Sequence, residues 1–463
     1  MSSFDLLLVG GRVVDPQNKL DGEFDIGIVD GKIKAVKRGL DRSAADKIID
    51  LRGKVAVPGV IDPHMHADEA GYRMMAKVGV ITGVDLSDRM GIICKNVKAH
   101  GSGMNIATLA DVRSYGTPPG ESMGRKEIQR AVAKAVEDGA LGIKILGGHS
   151  PFNPETTRSI IEVVNQERAY VAFHVGTTAT SSNLHGLLEA IELAGENSLH
   201  IAHVNSYLRG MTQDPVKECL DGLAAIEAKN NIISESYLSI INGTSGKCTD
   251  GVPESHVTRN CLQMGGYREN QDGLEKAILD GYSMVNLALG GECTLATGQE
   301  GVQHWKDAKT DIRISFPVNV PASTFLCATR KDKKGEFIVD AISTDGGAIP
   351  RNVSVKSGLS LVRYGALTLS EFVQKVSTNP ARMFGMTSKG HLMESADADI
   401  TILDLERGEA VMGIARGQVI MIDGIVTGQE GTIITTKTGA AAVGKTGLKF
   451  DVIDLERSRF YRR

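Results

Sequence analysis

Between residues 79 and 235 the sequence alternates between short apolar runs and amphipathic segments of helical period. Apolar runs bounded by turn residues predict buried strands, and the periodic segments between them predict helices. Parallel strands joined by crossover helices produce this alternation, and eight such units close naturally into a barrel. We therefore predict an α/β barrel with strands at residues 79–86, 104–112, 141–146, 169–174, 199–204 and 231–235.

The two chain ends share a different pattern of short strands separated by turns. Residues 5–56 contain an Asp-Gly turn at 30–31 between apolar runs, and a similar turn occurs at 423–424. Such turns favour hairpins. The ends therefore predict one small β-domain split by everything between them, with residues 1–56 and 389–440 in that domain, 57–388 in the barrel and 441–463 in a C-terminal tail.

Residues 238–335 interrupt the alternation within the predicted barrel. This stretch is rich in Gly, Asn, Ser and Thr and has little clear period. A structureless loop of this length is unusual in a compact domain. We expect an insertion of short helices that forms a lid over the active site.

Composition excludes several classes of protein. The 463 residues are 41% hydrophobic and 23% charged, which is typical of a globular chain with a large core. A net charge of −4 argues against nucleic acid or an anionic membrane as partner. The first residues do not resemble a signal peptide, and no apolar stretch is long enough to span a bilayer. Six scattered cysteines without paired spacing predict reduced thiols in a cytoplasmic protein.

His64 and His66 follow a buried apolar run that starts at residue 55. Residues two apart on a strand point to the same side. Two imidazoles at the end of a buried strand make half of a divalent-metal site, although two solvated loop histidines are the alternative.

Other residues with metal-binding or reactive groups also lie at or just beyond the ends of predicted strands. The carboxyl ends of barrel strands meet at one face, so these side chains are expected to converge. His200 competes with His203 for one position, and we assign His203 to the site because it lies nearer the end of its strand. The predicted set is His64, His66, Lys144, His174, His203 and Asp345.

Two further residues are candidates for substrate contacts. His149 follows Lys144 closely in a Gly-Gly-His-Ser segment, and a plain loop position is an equal alternative. Arg351 lies six residues after Asp345 and could pair with a substrate carboxylate. A solvated loop arginine is the equal alternative for Arg351.

These residue types suit hydrolysis. Neutral imidazoles bind zinc well, and a carboxylate completes the ligand set. A bound divalent ion lowers the pKa of water toward ~7 and polarises a scissile carbonyl. Asp345 would take the proton from water and pass it to the leaving nitrogen.

Several segments resemble the amidohydrolase superfamily. Residues 58–66 read Pro-Gly-x-Ile-Asp-x-His-x-His, and residues 377–385 and 396–400 are similar to its structural end motifs. The resemblance covers about residues 5–435. It implies a distorted (β/α)8 TIM barrel with a small β-sandwich domain formed by both chain ends, and a centre for one or two divalent metal ions, with zinc expected.

The resemblance also gives Lys144 a role. In binuclear members a lysine at the end of the fourth strand is carboxylated by carbon dioxide and bridges two metals, and residues 139–144 are similar to that segment. By carry-over, His64, His66 and Asp345 would bind the first metal. His174 and His203 would bind the second, with the Lys144 carbamate between them.

Within the superfamily, two groups are similar to this chain. The spacing between His174 and His203 and the segment 343–347 resemble the D-aminoacylase and isoaspartyl dipeptidase group. There are departures, since Ser206 stands where the dipeptidase has an arginine. The D-aminoacylases have a bridging cysteine where this chain has Asp88, while Cys94 lies further on, so Lys144 is the favoured bridge and Cys94 the alternative. The hydantoinase and dihydroorotase group, which opens cyclic amides, is also similar.

The resemblance favours a metal-dependent hydrolase of a small amide, with an N-acyl (D-)amino acid as the first substrate class. Ring opening of a cyclic amide is the alternative. A catalytically inactive scaffold is less favoured because all six metal-site positions are filled. Relatives are often dimers or tetramers, so we expect a homo-oligomer by analogy.

Overall fold

A computed structural model describes residues 4–116, 120–289 and 292–462. Within these ranges, eight parallel strand positions pair in succession and close into a barrel, which confirms the predicted fold class. The eighth position consists of two short strands. One pairs with the seventh barrel strand, and the other pairs with the first. The strands are Val60–His66, Val80–Asp85, Ser102–Asp111, Gly142–Leu146, Tyr170–His174, Leu199–Ile201, Ile232–Tyr237 and Ala341–Ser343 with Gly346–Gly347.

Helices follow the barrel strands, and the local sequence accounts for their buried faces and their ends. In Arg125–Glu137 the buried side chains recur at helical spacing and face the core. The Asn153 side chain accepts a hydrogen bond of 2.8 Å from the backbone N–H of Thr156 and caps the next helix. The barrel helices are Gly71–Lys77, Met90–His100, Arg125–Glu137, Pro154–Gln166, Leu184–Ala194, Pro215–Glu227, Ser354–Arg363, Leu369–Val373 and Asn379–Phe384, with a π-helical turn at Gln374–Thr378.

Both chain ends contribute to one β-sandwich domain. Leu6–Asp15 pairs with Val55–Pro58, which pairs in turn with Ile400–Asp404, so the two ends share a continuous sheet. Apolar residues from both ends form its core. The other strands of this sheet are Leu20–Val29, Lys32–Lys37, Ile48–Asp50, Glu409–Ala415, Gln418–Ile422 and Ile425–Val426.

The insertion contains a small antiparallel sheet as well as the expected short helices. Its apolar residues, including the buried Trp305, form a separate core cluster. The sheet strands are Asn242–Ser245, Arg313–Phe316, Met284–Leu289 and Glu292–Ala296, and a small hairpin pairs Cys248–Thr249 with Val252–Pro253. The helices are His256–Met264, Gln271–Leu279, Gly298–Asp307 and Pro321–Thr329.

The last part of the chain extends the barrel sheet. Glu430–Thr436 lies within the predicted 389–440 segment, and it pairs in parallel with the third barrel strand, Ser102–Asp111. Lys449–Ile453 then pairs with Glu430–Thr436 across the short helix Ala440–Gly444. No helix in the described ranges is long and apolar enough to cross a membrane. Short 3₁₀ turns occupy Pro16–Asn18, Arg42–Ala44, Val112–Tyr115, Val204–Tyr207 and Leu455–Arg457.

Candidate metal centre

All six predicted metal-site residues line one cavity of about 210 Å³. The cavity lies at the carboxyl ends of the barrel strands, where a barrel concentrates its chemistry. Both candidates for substrate contacts line it as well. The residues are His64, His66, Lys144, His149, His174, His203, Asp345 and Arg351.

Three of these side chains form a compact group of potential ligands. The ligand atoms of His64, His203 and Asp345 all lie within 4.8 Å of one another. Asp345 Oδ1 is 3.3 Å from His64 Nε2 and 3.1 Å from His66 Nε2. The side chains come from the first, sixth and eighth strand positions, so barrel closure brings them together.

The imidazoles of the cavity form a continuous row. The ring centroids are 5.1 Å apart between His66 and His64, and 5.1 Å apart between His64 and His203. They are 4.5 Å apart between His203 and His174, and 4.7 Å between His174 and His149. Burial lowers the pKa of His64, His174 and His203 well below the ordinary value, and that of His149 to about 4. These four rings are therefore neutral near pH 7, with lone pairs free for a cation.

Lys144 has a buried amine with no hydrogen-bond partner among the described residues. Burial lowers the pKa of Lys144 to about 8, although the negative charges of Glu235 and Asp345 oppose the decrease. About a tenth of an amine with this pKa is neutral at pH 7, far more than for an ordinary lysine, and the neutral form can act as a nucleophile.

Arg351 is turned toward Asp345. Its Nη2 lies 2.6 Å from Asp345 Oδ2, and its Nε donates to the Asp345 backbone carbonyl. Burial alone would raise the pKa of Asp345, but the charged Arg351 guanidinium holds that pKa well below its usual range. Arg351 Nη1 has no hydrogen-bond partner among the described residues, so one N–H edge of this cavity-lining side chain is free.

The insertion forms part of the cavity wall. Residues 242–245 and Arg313 line it, and Arg313 also forms an ion pair of 2.6 Å with Asp68. His149 Nδ1 lies 3.1 Å from Ser255 Oγ, which is 3.0 Å from Thr244 Oγ1. Hydrogen bonds therefore connect the barrel to the insertion strand beside the cavity.

Known proteins resemble the chain in sequence and in fold. The profile of the Amidohydrolase family matches residues 299–430. Dihydroorotase from Geobacter metallireducens is 22% identical over 422 residues, which cover 86% of this chain and 90% of that protein. The structure of N-acyl-D-glutamate deacylase from Bordetella bronchiseptica, complexed with zinc and a phosphonate inhibitor, has a TM-score of 0.70 at 15% identity and covers 93% of this chain and 99% of that chain. A D-aminoacylase structure with a binuclear metal centre has a TM-score of 0.68 at 17% identity, with 93% and 99% coverage.

The chain is therefore similar to amidohydrolases in sequence, with the family profile matched over residues 299–430, and in fold. At these identities the solved structures establish a shared fold, and the chemistry of the site depends on the residues of this chain.

Glu235 lies beside the metal-site residues and was not among those predicted from the sequence. It lies on the strand Ile232–Tyr237 and is fully buried. Its Oε1 accepts 2.7 Å hydrogen bonds from His64 Nδ1 and from the backbone N–H of His203. Its place on a predicted buried strand could have identified it from the sequence, because a buried carboxylate needs hydrogen-bond or charge partners.

His200 and Cys94, the alternatives for two site positions, lie outside the cavity. The His200 ring contacts Tyr170 and Phe384, and its Nε2 is 3.8 Å from Glu235 Oε1. Cys94 is buried on the helix Met90–His100, and neither Cys94 nor Asp88 is among the residues that line the cavity.

Proposed function

We propose that this protein is an amidohydrolase, a metal-dependent hydrolase of a non-peptide carbon–nitrogen bond in a small amide. The observation that carries the proposal is the compact group of His64, His203 and Asp345, with the unpartnered amine of Lys144 in the same cavity. Separate strands deliver these groups to one point, which ligand clusters require and a purely structural core does not.

The donor set suits a divalent ion, with zinc as the first choice. We propose that His64, His66 and Asp345 hold one ion, and that His174 and His203 hold a second. Lys144, as a carbamate formed with carbon dioxide, would lie between the two. When bound, such an ion lowers the pKa of water toward ~7 and polarises a carbonyl oxygen.

The protein's own groups would orient the substrate and move the proton. Asp345 is the proposed acceptor of the proton from water and its donor to the leaving nitrogen. Arg351 lies against Asp345 and holds the orientation of that carboxylate. Arg313 and the free edge of Arg351 supply positive charge at the cavity, which suits an amide that also bears a carboxylate.

N-acyl (D-)amino acids are therefore the proposed first substrate class. The fold likeness to N-acyl-D-glutamate deacylase and D-aminoacylase supports this choice. The sequence likeness to dihydroorotases favours a cyclic amide as the second candidate. A panel of N-acetyl-D-amino acids, hydantoin and dihydroorotate separates the two, since turnover of the cyclic amides alone would replace the first candidate with the second.

Metal analysis of the purified protein tests the common basis of both candidates. We expect at least one equivalent of a divalent ion and loss of activity after treatment with a chelator. A protein that neither contains nor takes up zinc, manganese or iron would support the inactive scaffold instead. We also propose a cytoplasmic homo-oligomer, which cell fractionation and light scattering would test.

The replacement Asp345→Asn tests the proton-transfer role. The amide keeps the size of the carboxylate but cannot accept the proton, so we expect kcat to fall by about 10²–10⁴-fold. Asp111→Asn is a matched control, because Asp111 also ends a barrel strand but does not line the cavity. Steady-state kinetics measures both variants, and normal turnover by Asp345→Asn would exclude the role.

A further inference from the structure

We infer that Glu235 is a positioning residue that holds His64, His203 and Asp345 in one metal-binding arrangement. The inference rests on the proposed metal-dependent function. It goes further in one respect: a single buried carboxylate that does not line the cavity controls the affinity for the ion. Glu235 is 0% exposed and is not among the residues that line the cavity.

The first contact sets the His64 ring. A carboxylate can only accept, so the 2.7 Å contact with Glu235 Oε1 requires the proton on His64 Nδ1. The opposite nitrogen, Nε2, then carries the lone pair. Nε2 is the atom that lies 3.3 Å from Asp345 Oδ1 and 3.3 Å from His66 Nε2. Glu235 thereby selects the ring form and the orientation that present a ligand to the centre.

The second contact holds the backbone at His203. This residue has φ 33° and ψ 60°, a left-handed conformation that is strained for a non-glycine residue. Its N–H donates to the same Glu235 oxygen at 2.7 Å. The hydrogen bond therefore stabilises the turn that ends the sixth barrel strand and directs the His203 ring toward the centre.

The third contact reaches the eighth strand position. Ser343 Oγ donates to Glu235 Oε2, two residues before Asp345. Asp345 itself has φ 48°, and its N–H donates to the His64 carbonyl at 2.8 Å. One carboxylate thus contacts the ring of the first ligand, the backbone of the second and the strand that leads to the third.

The charge of Glu235 also favours a cation. Among the described residues, its ion-pair partners within 4.0 Å are the imidazoles of His64 and His200, and no lysine or arginine lies within that distance. A buried negative charge behind the ligands strengthens the field that a divalent ion experiences, because screening by water is weak there. The replacement Glu235→Gln keeps the shape of the side chain and removes this charge.

Glu218 provides a matched control for burial. It is also a 0% exposed glutamate, but it lies on the helix Pro215–Glu227, where its carboxylate accepts from the backbone N–H of Thr212 at 3.4 Å. Glu218→Gln therefore changes a buried carboxylate in the same way, away from the metal centre. Ser343→Ala removes one contact of Glu235 and leaves its charge in place.

The experiment titrates the metal-free parent, Glu235→Gln, Ser343→Ala and Glu218→Gln with Zn²⁺ in competition with a chromophoric chelator. We expect Glu235→Gln to bind Zn²⁺ about 10–100-fold more weakly than the parent, Ser343→Ala to show a smaller loss, and Glu218→Gln to match the parent. Loading with Co²⁺ should give Glu235→Gln a visible absorption spectrum that differs from the parent spectrum, because the ligand geometry changes.

The outcomes distinguish the positioning role of Glu235 from the proposed metal-dependent function. If the parent binds Zn²⁺ and Glu235→Gln binds it equally well, the positioning role is wrong while the proposed function stands. If the parent itself binds no divalent ion, the proposed function fails and the inference falls with it. Should Glu235→Gln not fold, unchanged affinity in Ser343→Ala would contradict the inference and weakened affinity would support it.

Discussion

Two buried lysines show how differently the barrel and the β-sandwich domain treat the same side chain. Lys389 Nζ lies 2.8 Å from Asp397 and 2.8 Å from Asp399, and these carboxylates raise its pKa even though burial alone would lower it. Lys144 Nζ has no hydrogen-bond partner among the described residues, and burial lowers its pKa to about 8. A paired buried charge can stabilise the fold, whereas an unpaired buried amine costs stability and is a candidate for chemistry.

The largest expected effect on stability comes from Lys389→Met. This change leaves the buried Asp399 without its ammonium partner, so the free energy of unfolding should fall by about 3–5 kcal/mol. Urea titration of the metal-free protein measures the change. A variant as stable as the parent would mean that the Lys389 cluster contributes nothing, and the contrast between the two lysines would be lost.

The matched change in the barrel, Lys144→Met, should weaken metal binding without lowering stability. Replacing an unpartnered buried amine by an apolar side chain of similar length leaves no new unpaired group and removes the cost of burying the amine, so the free energy of unfolding of the metal-free protein should stay the same or rise. Zinc affinity should fall at least about tenfold, because a ligand is lost. Equal zinc affinity in the variant and the parent would exclude Lys144 from the centre.

The smallest expected effect is a pH dependence at the Lys389 cluster. The neighbouring ammonium groups lower the pKa of Asp397 below the ordinary 3.8, despite its burial. A lowered pKa stabilises the folded state above pH 3.8, and this contribution is lost as the pH falls further. The parent should therefore lose up to about 1 kcal/mol more per pH unit below 3.8 than Lys389→Met does. Urea midpoints at pH 5 and pH 3 measure the difference, and parallel curves would contradict it.

The barrel was predictable from sequence because its strands and helices carry strong periodic patterns. The six ligand candidates followed from their places at strand ends, a rule that needs no knowledge of tertiary contacts. The sixth strand is shorter than predicted, Leu199–Ile201 instead of 199–204, because His203 turns into the left-handed region. Residue type alone does not signal that turn, since it depends on the contact with Glu235.

The strands of the insertion could not be predicted from the sequence in the same way. Its wall strand, Asn242–Ser245, consists of Asn, Gly, Thr and Ser, which give no apolar alternation. Its pairing partner, Arg313–Phe316, lies far along the chain, and only the antiparallel register brings Arg313 to the cavity. The orientation of Arg351 toward Asp345 likewise depends on the loop geometry between them and not on their spacing in sequence.

The pairing of Ser102–Asp111 with Glu430–Thr436 has a consequence for biosynthesis. The ribosome releases the third barrel strand more than three hundred residues before the segment that completes this edge. During that interval one side of the strand lacks its partner, so we expect the nascent chain to be prone to association through this edge.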